Sequence, residues 1–345
     1  MKRNIIVALL AGFALTASAQ EKTSTIELPQ WVKNIKLSGY GMVQYRGNDK
    51  SGDKENWFDL RLVRLALDGR VEKDWYWKLQ MQVNGTPRLV DAFAEWQKYD
   101  FLCIKAGQFK RPFTFENPMH PITQGFMSYS QNVTNLAGFS DRTGEQASNG
   151  RDIGVQIQGD LLKIGGRPWL HYQVGVFSGQ GINTKDVDNR KDIIGGLWLM
   201  PLKGMRIGAF GWTGSRGEKD ATTGKVNSVP KNRYALSAEY VKDDYTFRTE
   251  FIHSQGRGTK AKGDEADGYY ALGIVPLIKQ KLHVKARYDL YRSESTWESS
   301  KTMYEVGADY AFNKNILLFV EYARVNERAT HQNYNLVDVQ LDFRF

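Results

Sequence analysis

The chain contains one cysteine in 345 residues, Cys103, so no internal disulfide can hold its fold together. Beyond the first 19 residues, no apolar run approaches the roughly 20 residues that a membrane-spanning helix needs. No dense tract of lysine and arginine indicates nucleic-acid binding. These absences exclude a disulfide scaffold, a helical membrane protein and a nucleic-acid-binding tail.

Recognisable catalytic motifs are also missing, since neither H-E-x-x-H nor G-x-S-x-G occurs. His253 and Ser254 are adjacent, but adjacent strand residues point to opposite faces and cannot act as base and nucleophile. A catalytic pair of carboxylates, as in glycosidases, remains an open alternative, but the sequence shows no substrate cleft that would support it. The sequence therefore predicts a protein that is not an enzyme and needs neither a cofactor nor a metal.

The first 19 residues have the three parts of a secretory signal peptide. Met1 to Arg3 is basic, residues 5–15 are apolar, and residues 17–19 form an A-x-A cleavage pattern. Removing residues 1–19 leaves 45 basic and 38 acidic residues, a net charge of +7 that favours anionic partners weakly. We expect a signal peptide at 1–19, an N-terminal periplasmic segment at 20–34 and one domain at 35–345.

Strict alternation of apolar and polar residues is the strongest pattern in the chain. In residues 282–291, LHVKARYDLY, alternate positions are apolar, and the last ten residues, LVDVQLDFRF, alternate up to Phe345. A period of two indicates strands with two different faces. A mean hydropathy of −0.50 combined with 12% aromatic residues fits a membrane barrel, because only one face of each strand must be apolar.

The arrangement of the strands predicts an all-β fold, a transmembrane antiparallel β-barrel of about 16 strands. Connections after even-numbered strands are mostly tight, and those after odd-numbered strands are mostly long, which places both termini on the short-turn, periplasmic side. Aromatic residues recur near both ends of the strands, as in the two interfacial girdles of such barrels. The expected strands are 35–46, 57–69, 75–84, 88–98, 101–110, 151–160, 168–177, 192–200, 204–213, 232–242, 244–254, 268–276, 280–292, 302–312, 316–326 and 334–345.

The longest connection, residues 111–150, lies between strands five and six. A forty-residue connection in a compact fold is commonly functional. Sixteen strands enclose a lumen too wide to discriminate small solutes, so a long loop folded inward would narrow it. We expect this loop inside the lumen, with an outward surface loop as the alternative.

KAGQFKRPFTFEN at 105–117 and GRDIGVQIQGDL at 150–161 resemble the phosphate-selective porin O and P family, as do residues 58–83. The resemblance covers essentially the whole chain after the signal peptide. It implies a trimeric outer-membrane channel of a Gram-negative bacterium with sixteen strands, an inward third loop and a ladder of basic residues that binds anions. The signal peptide and the terminal Phe345 are similar to those of outer-membrane barrels generally, which implies that Phe345 is an assembly signal.

Basic residues near the long connection predict an anion-binding constriction, because rings of such side chains set ion preference in pores. The candidates at the constriction are Lys105, Lys110, Arg111, Arg142 and Arg151. Further candidate basic residues lining the pore are Arg61, Lys78, Arg206, Arg248, Lys285 and Arg287. Many acidic residues share the inward parity, so cross-strand pairing is an equal alternative for each residue. Arg61 and Arg64 have opposite parities, which requires a bulge or an interfacial arginine.

These features predict passive diffusion of small hydrophilic solutes, with anions such as phosphate preferred. A general or sugar-specific channel and a plugged structural or adhesive barrel are the alternatives. The expected partners are small anionic or polar solutes, outer-membrane lipid, the assembly machinery and two further copies of the chain, without nucleic acid.

Overall fold

Alternating faces and tight turns bring the strands together in a closed antiparallel barrel of sixteen strands. The computed structural model describes residues 34–139, 149–220, 222–255 and 265–345. Each strand bonds to its neighbours in sequence, and β1 bonds to β16, so the predicted fold class is confirmed. The expected signal peptide, and the expected periplasmic segment apart from Asn34, lie outside the described residues.

The strands are β1 (Lys36–Asn48), β2 (Glu55–Val71), β3 (Trp75–Gln82), β4 (Arg88–Tyr99), β5 (Leu102–Lys110), β6 (Arg151–Ile164), β7 (Arg167–Phe177), β8 (Asp192–Leu199), β9 (Met205–Lys219), β10 (Val226–Lys242), β11 (Tyr245–Gln255), β12 (Glu265–Ile278), β13 (Leu282–Arg292), β14 (Ser300–Asn313), β15 (Ile316–Glu327) and β16 (Gln332–Arg344). One α-helix, α1 (Gln131–Leu136), lies between β5 and β6, and a 3₁₀ turn, Arg328–Thr330, precedes β16. In the described part of the chain, no helix is long and apolar enough to cross a membrane.

Two-residue turns close several hairpins at one end of the barrel. Asp243 and Asp244 join β10 to β11 with φ of 51° and 70°, and Gly165 and Gly166 join β6 to β7 with φ of 59° and 75°. Positive φ at both central residues matches the right-handed twist of paired strands, and Asp and Gly tolerate it. The short-turn end therefore follows from local sequence.

The outside of the barrel is apolar and the inside polar. On β6, Val155 and Ile157 are exposed, whereas Asp152 and Gln156 are buried. This inverts the usual distribution of a water-soluble protein and is the surface that lipid requires.

Two outward-facing glycines on β1 make room for the aromatic end of β16. A Cβ on Gly41 would lie 2.3 Å from the ring of Phe343, and one on Gly39 would lie 2.6 Å from the ring of Phe345. The N–H of Gly39 donates to the Phe345 carbonyl, and the N–H of Phe345 donates back, both at 3.0 Å. The last residue thus takes part in closing the barrel.

A bulge in β2 turns two arginines into the lumen. The pairing between β1 and β2 slips by one residue at Arg61, and the Asn84 side chain donates to the Arg61 carbonyl at 3.3 Å. Arg61 then reaches Gln340 at 2.9 Å, and Arg64 reaches Gln82 at 3.1 Å. Of the two alternatives that the opposite parities allow, a bulge or an interfacial arginine, the structure has the bulge.

Strands β9 and β10 are longer than the sequence predicted. The hydrogen-bonded pairing between them extends beyond residue 213 to Lys219 on β9, which pairs with Val226 at the start of β10. Residues 214–219 and 226–231 are mostly polar or glycine, so they lack the apolar alternation that marks a strand with one lipid-facing side.

Candidate functional site

The long connection between β5 and β6 crosses the interior of the barrel, and its described residues, 111–139 and 149–150, are called the inner loop here. The His120 ring lies 4.6 Å from the Tyr40 ring on β1. The backbone N–H of Met127 donates to Glu321 on β15 at 2.9 Å, and that of Gln131 donates to Asp289 on β13 at 2.8 Å. The inner loop therefore spans the lumen, as expected from its length.

Glu250 on β11 is the main carboxylate anchor of the inner loop. It is fully buried, and both of its oxygens accept backbone N–H groups, Oε2 from Phe115 at 2.7 Å and Oε1 from Glu116 at 2.8 Å. The hydroxyl of Tyr270 donates to Oε1 at 2.7 Å, and that of Ser237 donates to Oε2. Four donors compensate the desolvation of one buried charge.

Three predicted pore-lining cations also hold the inner loop. Arg248, Lys285 and Arg287 are buried, and each donates to a loop carbonyl at 2.9 Å. These carbonyls belong to Gln124, Gly125 and Ser128. The cations pair with Glu239 at 2.7 Å, Glu321 at 2.6 Å and Glu305 at 2.5 Å. Pairing across strands, which the sequence left as an equal alternative, therefore neutralises these three cations beneath the loop.

Arg111 is predicted at the constriction, but the structure buries it at the base of the inner loop. Its exposure is 0%, its Nη2 pairs with Asp152 at 2.9 Å, and its Nη1 donates to the Gly138 carbonyl at 2.9 Å. The guanidinium also lies 5.0 Å from the centre of the Trp212 ring. A planar group with several donors is well suited to such a junction, so Arg111 anchors the base of the inner loop.

Aromatic side chains pack the inner loop onto β7, β8, β9 and β10. Phe115 meets Phe210 edge to face at 5.4 Å, and Phe113 meets Trp212 at 5.5 Å. Phe177 and Phe210 are buried in this cluster. Burial of these two rings stabilises the loop.

A cavity of about 300 Å³ lies between the inner loop and β1 to β7, and is called the basic chamber here. It is lined by Tyr40, Arg64, Lys78, Gln80, Asp91, Phe93, Lys105, Phe109, Lys110, Pro112, Pro118, Met119, His120, Pro121, Arg151, Gln156, Gln158 and Gln173. Five cations therefore face one carboxylate. Lys105, Lys110, Arg151 and Lys78 were predicted from sequence, whereas Arg64 was noted only for its parity.

Among the residues that the structure describes, two of these five cations have carboxylate partners. Arg151 pairs with Asp91 at 2.6 Å, and Lys105 pairs with Glu95, behind the wall, at 3.4 Å. Among the described residues, no carboxylate lies within 4.0 Å of the other three, Arg64, Lys78 and Lys110. Counting Glu95, five cations and two carboxylates leave the chamber with a net charge of +3.

Lys110 holds the loop from inside the basic chamber. Its Nζ donates to the carbonyls of Asn117 at 2.7 Å and Met119 at 2.6 Å, and to the Tyr129 hydroxyl at 2.7 Å. All three acceptors are neutral. The positive charge of Lys110 is therefore solvated by the loop without being neutralised.

A second cavity, of about 350 Å³, lies between the inner loop and β13 to β16, and is called the outer vestibule here. Its charged lining consists of Arg46, Arg287, Lys301, Asp289, Glu305, Glu321 and Asp338. Arg46 pairs with Asp338 at 2.7 Å, and Arg287 pairs with Glu305. Counting Lys285, which pairs with Glu321 at 2.6 Å, four cations and four carboxylates leave the outer vestibule without net charge, whereas the basic chamber is positive.

The remaining candidates are dispersed. Arg206 is half-buried, pairs with Glu239 at 2.5 Å and lies 4.0 Å from the Phe115 ring centre. Arg61 lies near Gln340 on β16, two strands away across β1, and Arg142 lies outside the described residues. Within the ranges that the structure describes, no cluster of three or more His, Cys, Asp or Glu could hold a metal ion.

The surroundings of His120 in the basic chamber lower the pKa of its side chain. Loss of hydration against the surrounding protein, followed by repulsion from Lys110 and Lys78, lowers its pKa to about 4. Its Nδ1 accepts the backbone N–H of Ile122 at 3.2 Å, which requires an unprotonated nitrogen.

We therefore predict that His120 carries no charge between about pH 7.5 and about pH 5.5, because both values lie above its pKa. His120→Gln should leave the anion-to-cation permeability ratio unchanged across this range. Reversal potentials at the two pH values measure it. A pH-dependent rise in anion preference that disappears in the variant would contradict the prediction.

Comparison with known proteins agrees with this geometry. A Gram-negative porin family model matches residues 7–330, and the search of curated proteins returned no match. Among solved structures, the fold is similar to an anion-selective porin from Comamonas acidovorans (14% identity, 90% of this chain and 99% of that one, TM-score 0.68). It is also similar to OmpF of Salmonella typhi (13% identity, 90% of this chain and 98% of that one, TM-score 0.66). A third similar structure is the outer membrane channel DcaP of Acinetobacter baumannii (13% identity, 90% of this chain and 97% of that one, TM-score 0.62).

The family match covers nearly the whole chain, and the closed sixteen-stranded barrel with an apolar exterior is the architecture of that family. Porins are passive channels of the outer membrane and not enzymes, so the expectations for location and for the absence of catalysis are confirmed. The chain therefore belongs to the Gram-negative porin family.

Proposed function

We propose that this porin conducts small hydrophilic solutes with a preference for anions. The observation that carries the proposal is the basic chamber, where Arg64, Lys78 and Lys110 have no carboxylate within 4.0 Å among the described residues. Uncompensated cations along a narrow aqueous path raise the local concentration of anions and repel cations.

The similarity to an anion-selective porin supports the proposal by analogy, and the resemblance to the phosphate-selective porin O and P family adds phosphate to the candidate solutes. Lys78 and Lys105 are both partly exposed to the chamber, so they can contact an entering anion. Lys105, Lys110 and Arg151 keep their proposed place at the constriction, and Arg142 remains a candidate there.

The assembly proposals rest on resemblance. A related fold, OmpT of Vibrio cholerae, is described in a trimer form, and we propose a homotrimer here. We also propose that residues 1–19 direct export, that residues 20–34 remain in the periplasm, and that the assembly machinery recognises the terminal strand with Phe345.

Two other functions give different electrical results. A general or sugar-specific channel would show little ion preference, and the balanced charge of the outer vestibule favours this reading. A plugged structural barrel would conduct nothing. The inner loop fills part of the lumen but leaves a cavity on either side.

Single-channel recording of the purified protein in a planar bilayer with a KCl gradient tests the proposal. We expect a reversal potential of the sign that chloride permeation produces, and a reduced chloride current when phosphate is added. Preference for potassium, or no preference, would contradict anion selectivity and leave a general diffusion channel. If correctly folded protein carries no current, the result would favour the plugged barrel.

A further inference from the structure

The basic chamber is not a purely ionic site, because apolar side chains make up much of its wall. Phe93, Phe109, Met119, Pro118 and Pro121 line it together with the cations. A chamber built only to pass small inorganic anions has no need of such surface, which cannot donate hydrogen bonds to an anion. The apolar wall therefore matches a second, apolar part of a solute.

Charge and apolar surface meet at Lys105. Its Nζ lies 5.0 Å from the ring centre of Phe93 and 5.4 Å from that of Phe109. The two rings meet edge to face at 5.9 Å. A carboxylate bound by Lys105 would hold the attached body of the solute next to the half-buried Phe93 ring, where aromatic or aliphatic groups pack favourably.

The size and the remaining lining fit the same class of solute. A volume of about 300 Å³ lies at the small end of sites for organic molecules and exceeds what a tetrahedral oxyanion fills. Side-chain amides of Gln80, Gln156, Gln158 and Gln173 supply both donors and acceptors, which suits hydroxyl, amide or further carboxylate groups.

We propose that the basic chamber is a binding site for small organic carboxylates with an apolar or aromatic body. This inference rests on the proposed anion preference and names its substrate class. The carboxylate lies toward Lys78 and Lys105, and the body lies against Phe93 and Met119. The outer vestibule supplies a charge-balanced entry, so it neither repels nor retains such an anion.

Block of the chloride current in wild-type channels tests the inference, with benzoate, acetate, phosphate and benzyl alcohol as probes. We expect benzoate to block at a concentration about tenfold lower than acetate or phosphate, which corresponds to about 1.4 kcal/mol. Benzyl alcohol has the ring without the charge and should block much less than benzoate. Equal block by benzoate and acetate, or by benzoate and benzyl alcohol, would overturn the inference.

Matched methionines locate the site. Met119→Gln in the basic chamber should weaken benzoate block severalfold and leave acetate block unchanged, whereas Met303→Gln in the outer vestibule should change neither. Equal loss in both variants would also overturn the inference. Failure of the anion preference itself would appear separately, as a cation-directed reversal potential in KCl without any organic probe.

Discussion

Replacing Lys78 and Lys105 together by glutamate should reverse the ion preference of the channel. The basic chamber would change from five cations and two carboxylates to three cations and four carboxylates, a net charge of −1 instead of +3. At about 4 Å, each unit charge contributes on the order of 1 kcal/mol in water and more beside a protein wall. We expect the anion-to-cation permeability ratio to fall by at least about tenfold.

The control for this double variant is a change of equal charge away from the lumen. Lys73 and Lys279 are exposed in turns at the short-turn end, so Lys73→Glu with Lys279→Glu adds the same net charge outside the chamber. Reversal potentials in a KCl gradient compare the two. If both double variants behave like the wild type, the basic chamber does not set ion preference.

Glu250→Gln should release the inner loop and enlarge the channel. Each carboxylate oxygen already accepts a backbone N–H, from Phe115 or Glu116, so either orientation of the new amide sets an NH₂ group against a donor. A buried unsatisfied donor costs about 1–3 kcal/mol. The docked population of the loop should therefore fall by roughly 5- to 150-fold relative to undocked states.

The measurement is single-channel conductance, which should become larger and more variable in Glu250→Gln. Asp309→Asn is the matched control, because Asp309 also faces the lumen but bonds across strands to His283 at 2.8 Å and not to the loop. Both variants should keep the electrophoretic mobility of the folded barrel in unheated detergent samples. Unaltered conductance in a folded Glu250→Gln channel would show that Glu250 does not hold the loop.

The alternation of residues along a strand shows which cations face the lumen, but it does not show what each of them contacts there. Lys78 and Lys285 look alike in sequence, each flanked by outward apolar residues on a regular strand. In the barrel, Lys78 borders a cavity, whereas Lys285 lies under the inner loop and donates to the Gly125 carbonyl. The path of the loop across the lumen made this difference, and no local pattern encodes that path.

Arg111 is a second residue whose contacts could not be predicted from the sequence. Its place beside the longest loop suggested the constriction, but a distant strand supplies Trp212 and the start of β6 supplies Asp152, and together they bury it. Arg64 is the reverse case. It reaches the chamber because a bulge shifts the parity of β2, and the sequence indicated only that some irregularity was required.

The sequence alone was enough to predict the barrel, its sixteen strands and its short-turn and long-loop ends. These features follow from a period-two pattern, local turn residues and the rule that no strand edge can stay open in lipid. Which charges are buried in anchoring the loop, and which remain for a solute, depends on how the loop folds against the barrel wall. The physical reason is that pairing and burial depend on residues more than a hundred positions apart, such as Glu250 and Phe115, whose contact is set by the closed barrel and not by either segment alone.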